Sequence, residues 1–206
     1  MIKKYKTILI DPPWQQELSG RYKNFSNLRT GKKIGYKTMS LEEIQNLPIE
    51  KIADEGCHLW LWTTNQFLEQ GFQLIRGWGF IYLAPIHWIK PSGRGNYFVH
   101  YTQTILFAYY KRCLFKHKRY LPNYFKTEKN PAYHSRKPVE SYRLIESISC
   151  EPRLELFARP HSPMFPKLPG WDVWGNEMPE NDIDLFETNN HTEAANENIL
   201  HRTSEE

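Results

Sequence analysis

Residues 8–14 read ILIDPPW, an apolar run that ends on a carboxylate and is followed at once by two prolines and a tryptophan. Neither proline has a backbone N–H, so a sheet ladder cannot continue through them. The run "YKTILI" (5–10) is therefore expected to be a strand that stops at Asp11. Further strand signals lie at 57–63 (CHLWLWT), 80–90 (FIYLAPIHWIK), 102–110 (TQTILFAYY) and 153–159 (RLELFAR). Between them Ser40-Leu41-Glu42-Glu43 is a capping box opening a short helix to about Leu47, stopped by Pro48. Residues 63–66 start a second helix, with Phe67, Leu68, Phe72, Leu74 and Ile75 roughly on one face, and Pro138 begins a third with Tyr142, Ile145 and Ile148 at helical spacing. Strands alternating with helices predict a three-layer α/β sandwich on a mostly parallel sheet. Ligands in such sheets gather beyond the carboxyl ends of the strands, where Asp11 would stand.

A chain of 206 residues suits one domain with a substantial core. No stretch reaches the roughly 20 apolar residues of a membrane span, and the N-terminus moves directly into a strand pattern, so a cytoplasmic location is expected. Cys57, Cys113 and Cys150 are odd in number and widely spaced, and the eight histidines show no HxxxH pair. Neither a disulfide framework nor a metal site is expected. The net charge of +4 hides a division. Residues 177–206 carry nine acidic residues and one arginine, leaving 1–176 with 26 basic against 14 acidic residues, or +12. A basic body suits a polyanionic partner. Residues 179–206 are expected to form an acidic, mostly disordered tail, with the globular unit over 1–178.

Asp11 and the carbonyls of Pro12 and Pro13 are hydrogen-bond acceptors on a stiff turn, and Trp14 offers a flat face. Two acceptors suit a planar amine with two hydrogens to place, so the tetrapeptide predicts a clamp for an amine on an aromatic base. Acceptors pulling on the hydrogens of an adenine-type amine favour its pyramidal form, and a carboxylate stabilises the cation formed on methyl transfer. The basic, aromatic stretch 15–38 directly follows, giving Arg21, Lys23, Arg29, Lys32, Lys33 and Tyr36 as candidate substrate contacts, and the glycine-rich segment 91–100 adds Arg94.

The motifs also come in a characteristic order: DPPW, then YKTMSLEEI (36–44), LWLWTT (59–64), HWIK (87–90), SRKP (135–138), ELFARPH (155–161) and WGNE (174–177). In this the sequence resembles the adenine-N6 methyltransferases typified by the catalytic subunit of the eukaryotic mRNA adenosine methyltransferase, in the form of a bacterial or phage-type member. The resemblance covers about residues 5–178. It implies a Rossmann-like fold using S-adenosylmethionine, with the target amine at Asp11 to Trp14. It further implies Asp11, Lys137, Arg159, His161, Ser162, Asn176 and Glu177 as cofactor contacts, although Ser162 and Glu177 stand where the eukaryotic enzymes carry Asn and Gln. No GxGxxG loop is present, so the residues by themselves do not point to that cofactor site. The implied reaction is methylation of the adenine 6-amino group in nucleic acid, DNA before RNA, by a chain acting alone, as a homodimer or with a partner subunit. A non-catalytic nucleic-acid scaffold of the same fold is the reading from a different class.

Overall fold

The structure, a computed structural model, describes residues 3–15, 38–94, 97–116, 120–129, 136–163 and 166–186. Inside its sheet lies β1 (Tyr5–Ile10), whose side chains are buried on both faces. That is why this stretch reads as a continuous apolar run rather than an alternating one. β1 pairs in parallel with β2 (Ala53–Thr63) on one side and β6 (Arg153–Leu156) on the other, and β6 pairs in parallel with β7 (Trp171–Trp174). β3 (Ile81–Arg94) and β4 (His100–Tyr109) form an antiparallel ribbon; β4 pairs antiparallel with β2, and β5 (Tyr124–Lys126) adds in parallel to β3. The seven strands run in the order β5-β3-β4-β2-β1-β6-β7, with β4 alone reversed.

Helices cover both faces. On one, α1 (Leu41–Gln45), α2 (Ile49–Ile52) and α3 (Leu68–Gly77) place Ile44, Ile49, Ile52, Leu74 and Ile75 against Ile8, Ile10, Leu59 and Leu61. On the other, α4 (Val139–Ile148) places Ile145 against Leu9, Trp60, Trp62 and Trp88. This is the expected α/β sandwich. The capping box is formed: Glu43 N–H donates to Ser40 Oγ at 3.1 Å, and Ser40 N–H to Glu43 Oε2 at 2.7 Å. Pro48 does end the first helix, yet it opens α2 immediately. Among the described residues no helix is long and apolar enough to cross a membrane.

The expected boundary between body and tail moves. Leu185 is fully buried in the core, Gly175 N–H donates to Asn181 Oδ1 at 2.8 Å, and Val173 N–H donates to Asp182 Oδ2 at 2.7 Å. Lys167 closes on Asp182 at 2.6 Å. Residues 179–186 are thus packed on the domain. They use their polar side chains to satisfy the backbone at and beyond β7, so an acidic composition here signals capping rather than disorder. The remainder of the expected tail, 187–206, lies outside the described residues.

Candidate active site

Because β1, β6 and β7 are adjacent and parallel, the segments leaving their carboxyl ends line one rim of the sheet. Asp11 leaves β1; Arg159, His161 and Ser162 follow β6; Asn176 and Glu177 follow β7. The last two exits are held side by side by the Ala158 N–H donating to Trp174 O at 3.0 Å. Lys137, just ahead of α4, reaches the same rim and places its Nζ 2.9 Å from Asp11 Oδ2. The lysine side chain is only 10% exposed and the aspartate 28%, so the pair is sheltered from screening. Trp62, at the end of β2, sits beneath it with its ring centre 5.0 Å from Lys137 Nζ. The structure therefore brings Asp11 and Lys137 of the implied site into direct contact, across a gap no local pattern spans. Arg159 is partly buried, while His161, Ser162, Asn176 and Glu177 present exposed side chains on the neighbouring exits. Burial, then the positive charges of Lys167 and Arg136, lowers the His161 imidazole below its ordinary value.

Two expectations for the DPPW turn are corrected. Trp14 is 6% exposed and belongs to the core, with Phe67 stacked on it at 5.1 Å and 7°. It is a wall of the rim rather than an open platform, because burying an indole is worth more than leaving it free. The proline carbonyls also carry local work: Pro12 O accepts from Trp14 N–H at 2.8 Å, and Pro13 O from Met39 N–H at 3.0 Å. Each carbonyl keeps a second lone pair. The Asp11 carboxylate, with Oδ2 held by Lys137, retains Oδ1 as an acceptor. The bridge from Trp14 to Met39 explains why the TMS segment accompanies DPPW: it fixes the turn from behind.

The structure adds residues that the sequence did not single out. Glu155 on β6 lies opposite Leu9 of β1, two residues before Asp11, and accepts the Tyr142 hydroxyl at 2.8 Å. Burial, and to a smaller degree the Asp11 charge, pushes the Glu155 carboxyl up to about 7, against the pull of the Tyr142 hydrogen bond, Arg136 and Lys137. Burial and Glu155 hold the Tyr142 hydroxyl well above its ordinary value. A carboxylate within the apolar strand RLELFAR was the available signal, since Glu is seldom buried without a partner. Arg136 donates to Pro160 O at 3.1 Å, tying the approach to α4 to the exit of β6. Of the substrate candidates, Arg21, Lys23, Arg29, Lys32, Lys33 and Tyr36 lie outside the described residues, and so does the side chain of Arg94. The backbone of Arg94 ends β3 at the same rim.

A sheet of this order, with a carboxylate–lysine pair beyond β1, defines an α/β domain whose candidate site lies at one rim. The MT-A70 family model matches residues 5–177, and the chain belongs to the MT-A70 family of adenine-N6 methyltransferases. Among relatives, it is 28% identical over 203 residues to the type II methyltransferase M.MunI of a Mycoplasma species, covering 89% of this chain and 82% of that protein. It is 28% identical over 195 residues to the N(6)-adenine-specific methyltransferase METTL4 of Homo sapiens, covering 85% of this chain and 38% of that one. It is 25% identical over 195 residues to an N(6)-adenosine-methyltransferase MT-A70-like protein of Drosophila melanogaster, covering 86% and 28%.

Proposed function

We propose that this protein methylates the 6-amino group of adenine in DNA, using S-adenosylmethionine. The observation that carries the reading is the Asp11–Lys137 pair at the end of β1 in a chain matched to the family along 5–177. The donor set fits the cofactor: Asp11 can accept from an α-ammonium, Lys137 can meet an α-carboxylate, and both charges already stand 2.9 Å apart. Asn176 and Glu177, exposed on the β7 exit, offer partners for hydroxyl groups. When bound, the cofactor supplies a methyl group on a sulfonium.

The protein's own part is electrostatic and positional. Lys137 fixes the Asp11 carboxylate by one oxygen, leaving the other to accept a hydrogen from the adenine amine. The free lone pair of a proline carbonyl can take the second hydrogen. Both contacts localise the nitrogen lone pair and stabilise the positive charge that the nitrogen gains as its new bond to carbon forms. That charge would then leave as a proton through the Asp11 carboxylate, and the sulfonium, its carbon–sulfur bond broken, would be left a neutral thioether. Trp14 and Phe67 wall the site and help to exclude water. The target base must leave its stack to arrive here.

DNA is taken before RNA on the likeness to the type II methyltransferase, 28% identical over 203 residues. The test is methyl transfer from labelled cofactor to matched DNA and RNA pools, wild type beside Asp11→Ala, followed by nucleoside analysis. N6-methyladenine in DNA, lost in the variant, is the expected result. Label confined to RNA would overturn the choice of substrate, and transfer that survives Asp11→Ala would overturn the mechanism. Cofactor binding without transfer to either pool would point to a required partner subunit.

A further inference from the structure

We propose that the β3–β4 ribbon is the track that holds the nucleic-acid strand flanking the target adenine: Lys90 meets a backbone phosphate, and Tyr97, Phe98 and Tyr101 stack on unpaired flanking bases. This rests on the reading of the chain as a nucleic-acid methyltransferase.

The ribbon overhangs the site. Ile10 is level with Leu61 of β2, Leu61 with Leu106 of β4, and Leu106 with Pro85 of β3. β3 runs parallel to β1 and continues nine residues past Pro85 to Arg94, at most roughly 30 Å of strand beyond the point where β1 stops. Its inner part packs, with Ile86 and Trp88 in the core and His87, Trp88 and Ile89 paired to β5, but its outer part joins no core cluster among the described residues. It is instead richly aromatic and bare: Tyr97 is 97% exposed, Phe98 78% and Tyr101 51%. Clustered exposed aromatics at the edge of a site mark an interaction surface. Their occupant follows from charge. Lys90 lies over the Trp88 ring at 5.9 Å, and among the described residues no carboxylate pairs with it. Burial, then the like charge of Lys137, lowers the Lys90 ammonium below its ordinary value, while Lys137 itself is paired with Asp11. A half-buried cation beside a like charge, with no carboxylate partner among the described residues, is a place for an anion from outside.

Strand alternation puts Lys90 and Tyr101 on one face, and Tyr97 and Phe98 lie in the turn that joins the two strands. Ile86 and Trp88 of β3, and Ile105 and Phe107 of β4, pack toward α4; Lys90 and Tyr101 continue the same two rows toward the rim. The ribbon is also tied to the DPPW turn. His100 Nδ1 and Asn65 Nδ2 are hydrogen-bonded at 2.8 Å, and the 3-10 turn Asn65–Phe67 carries the ring that stacks on Trp14. A phosphate at Lys90 and bases on the aromatic faces would thus lead a strand toward Asp11. Stacking accepts every base, so this surface gives grip and single-strand character rather than sequence choice.

The experiment is fluorescence anisotropy on an adenine-containing single-stranded oligonucleotide across a salt series, with methyl transfer read on the same oligonucleotide. Tyr97→Ala/Phe98→Ala/Tyr101→Ala is expected to bind at least ~30-fold more weakly, with an unchanged salt slope and unchanged affinity for the cofactor. Lys90→Gln is expected to lower the slope by about 0.7–0.9. Wild-type affinity and slope in both variants would overturn the track. So would a wild-type dimer that dissociates in the triple variant while binding per protomer is unchanged, since the aromatics would then belong to a self-interface. Binding that depends on the aromatics in a protein that neither binds the cofactor nor transfers methyl would refute the catalytic reading and leave the track standing; methyl transfer with binding that ignores both variants would do the reverse.

Discussion

Gly175 is where the exits of β6 and β7 touch, and replacing it by alanine measures how tightly that contact is drawn. A Cβ at position 175 would lie 2.3 Å from Ala158 O and 3.1 Å from Ala158 N. Reaching even a 3.0 Å contact requires a retreat of 0.7 Å, the difference between 3.0 and 2.3 Å, and both sides of the clash are backbone. The movement strains the Ala158 N–H to Trp174 O bond (3.0 Å) and the Gly175 N–H to Asn181 Oδ1 bond (2.8 Å). Overpacking of this kind costs about 1–3 kcal/mol, and a lost hydrogen bond about 1 kcal/mol. A total of about 3 kcal/mol lowers the melting temperature of a domain this size by roughly 6–12 °C. Because Asn176 and Glu177 ride on the displaced strand end, affinity for S-adenosylmethionine should fall about tenfold. Gly71→Ala is the control. Its Cβ would press on the tip of Leu106 at 2.8 Å and meet Leu61 and Thr63 at an ordinary 3.8 Å, and α3 gains propensity from alanine, so its melting temperature should change by less than ~3 °C. The assay is thermal denaturation of the three proteins with and without cofactor, beside calorimetric titration. Equal melting temperatures for Gly175→Ala and wild type would refute the inference that the two exits are locked by backbone contact.

Other outcomes can be stated more briefly. Glu155 has its pKa raised in the folded protein, so the stability it contributes is fully present below about 4.5 and is lost as pH rises through about 7. His58, buried and lowered to about 4, works in the opposite sense: its contribution is present above about 6.5 and is lost as pH falls through about 4. The two partly cancel between pH 4.5 and 6.5. Urea unfolding of Glu155→Gln should expose a steeper acid loss, and that of His58→Gln a gain on acidification; variants with the wild-type pH profile would contradict the assignment. Ser149 Oγ serves both His58 Nδ1 (2.7 Å) and Trp60 Nε1 (3.0 Å) in the core, so Ser149→Ala should cost about 3 kcal/mol in urea unfolding, and a loss under ~1 kcal/mol would count against it. Lys137→Met should lower kcat/KM at least ~100-fold while the melting temperature stays within about 3 °C of wild type, and unimpaired turnover would remove Lys137 from the site.

Much of the fold was legible because its strands are chemically marked. The β1 run was found with the observed bounds, since apolar residues precede two that cannot pair in a ladder. β7 was missed: WDVW is four residues long, interrupted by Asp172 and bounded by Gly170 and Gly175, which leaves no period to read. β5, at three residues, is shorter still. The reversal of β4 was available in principle, because the five residues between Arg94 and His100 cannot make a parallel crossover. In the site, Asp11 announced itself through its prolines, and Lys137 followed only from the family resemblance. Trp14 misled because an aromatic next to a binding motif looks the same in sequence whether it faces ligand or core; Phe67, 53 residues later, decides it. Glu155 and Tyr142 read as strand and helix positions, and only the packing of α4 on β6 joins them.

The sheet order carries a consequence for how the chain acquires its activity. β1 is the first strand made, but its neighbours are β2 and β6, and the β6 contact spans roughly 145 residues from Thr7 to Arg153. Closing so long a loop is slow compared with forming the β3–β4 ribbon, whose partners are nearly adjacent in sequence. The segment between β1 and β6 can therefore assemble as a half-sheet while Asp11 waits at its open edge. Only when Lys137 and the β6 and β7 exits arrive do the two charges meet. A chain arrested anywhere before β6 would carry the DPPW motif intact yet lack the β6 and β7 exits that complete the rim.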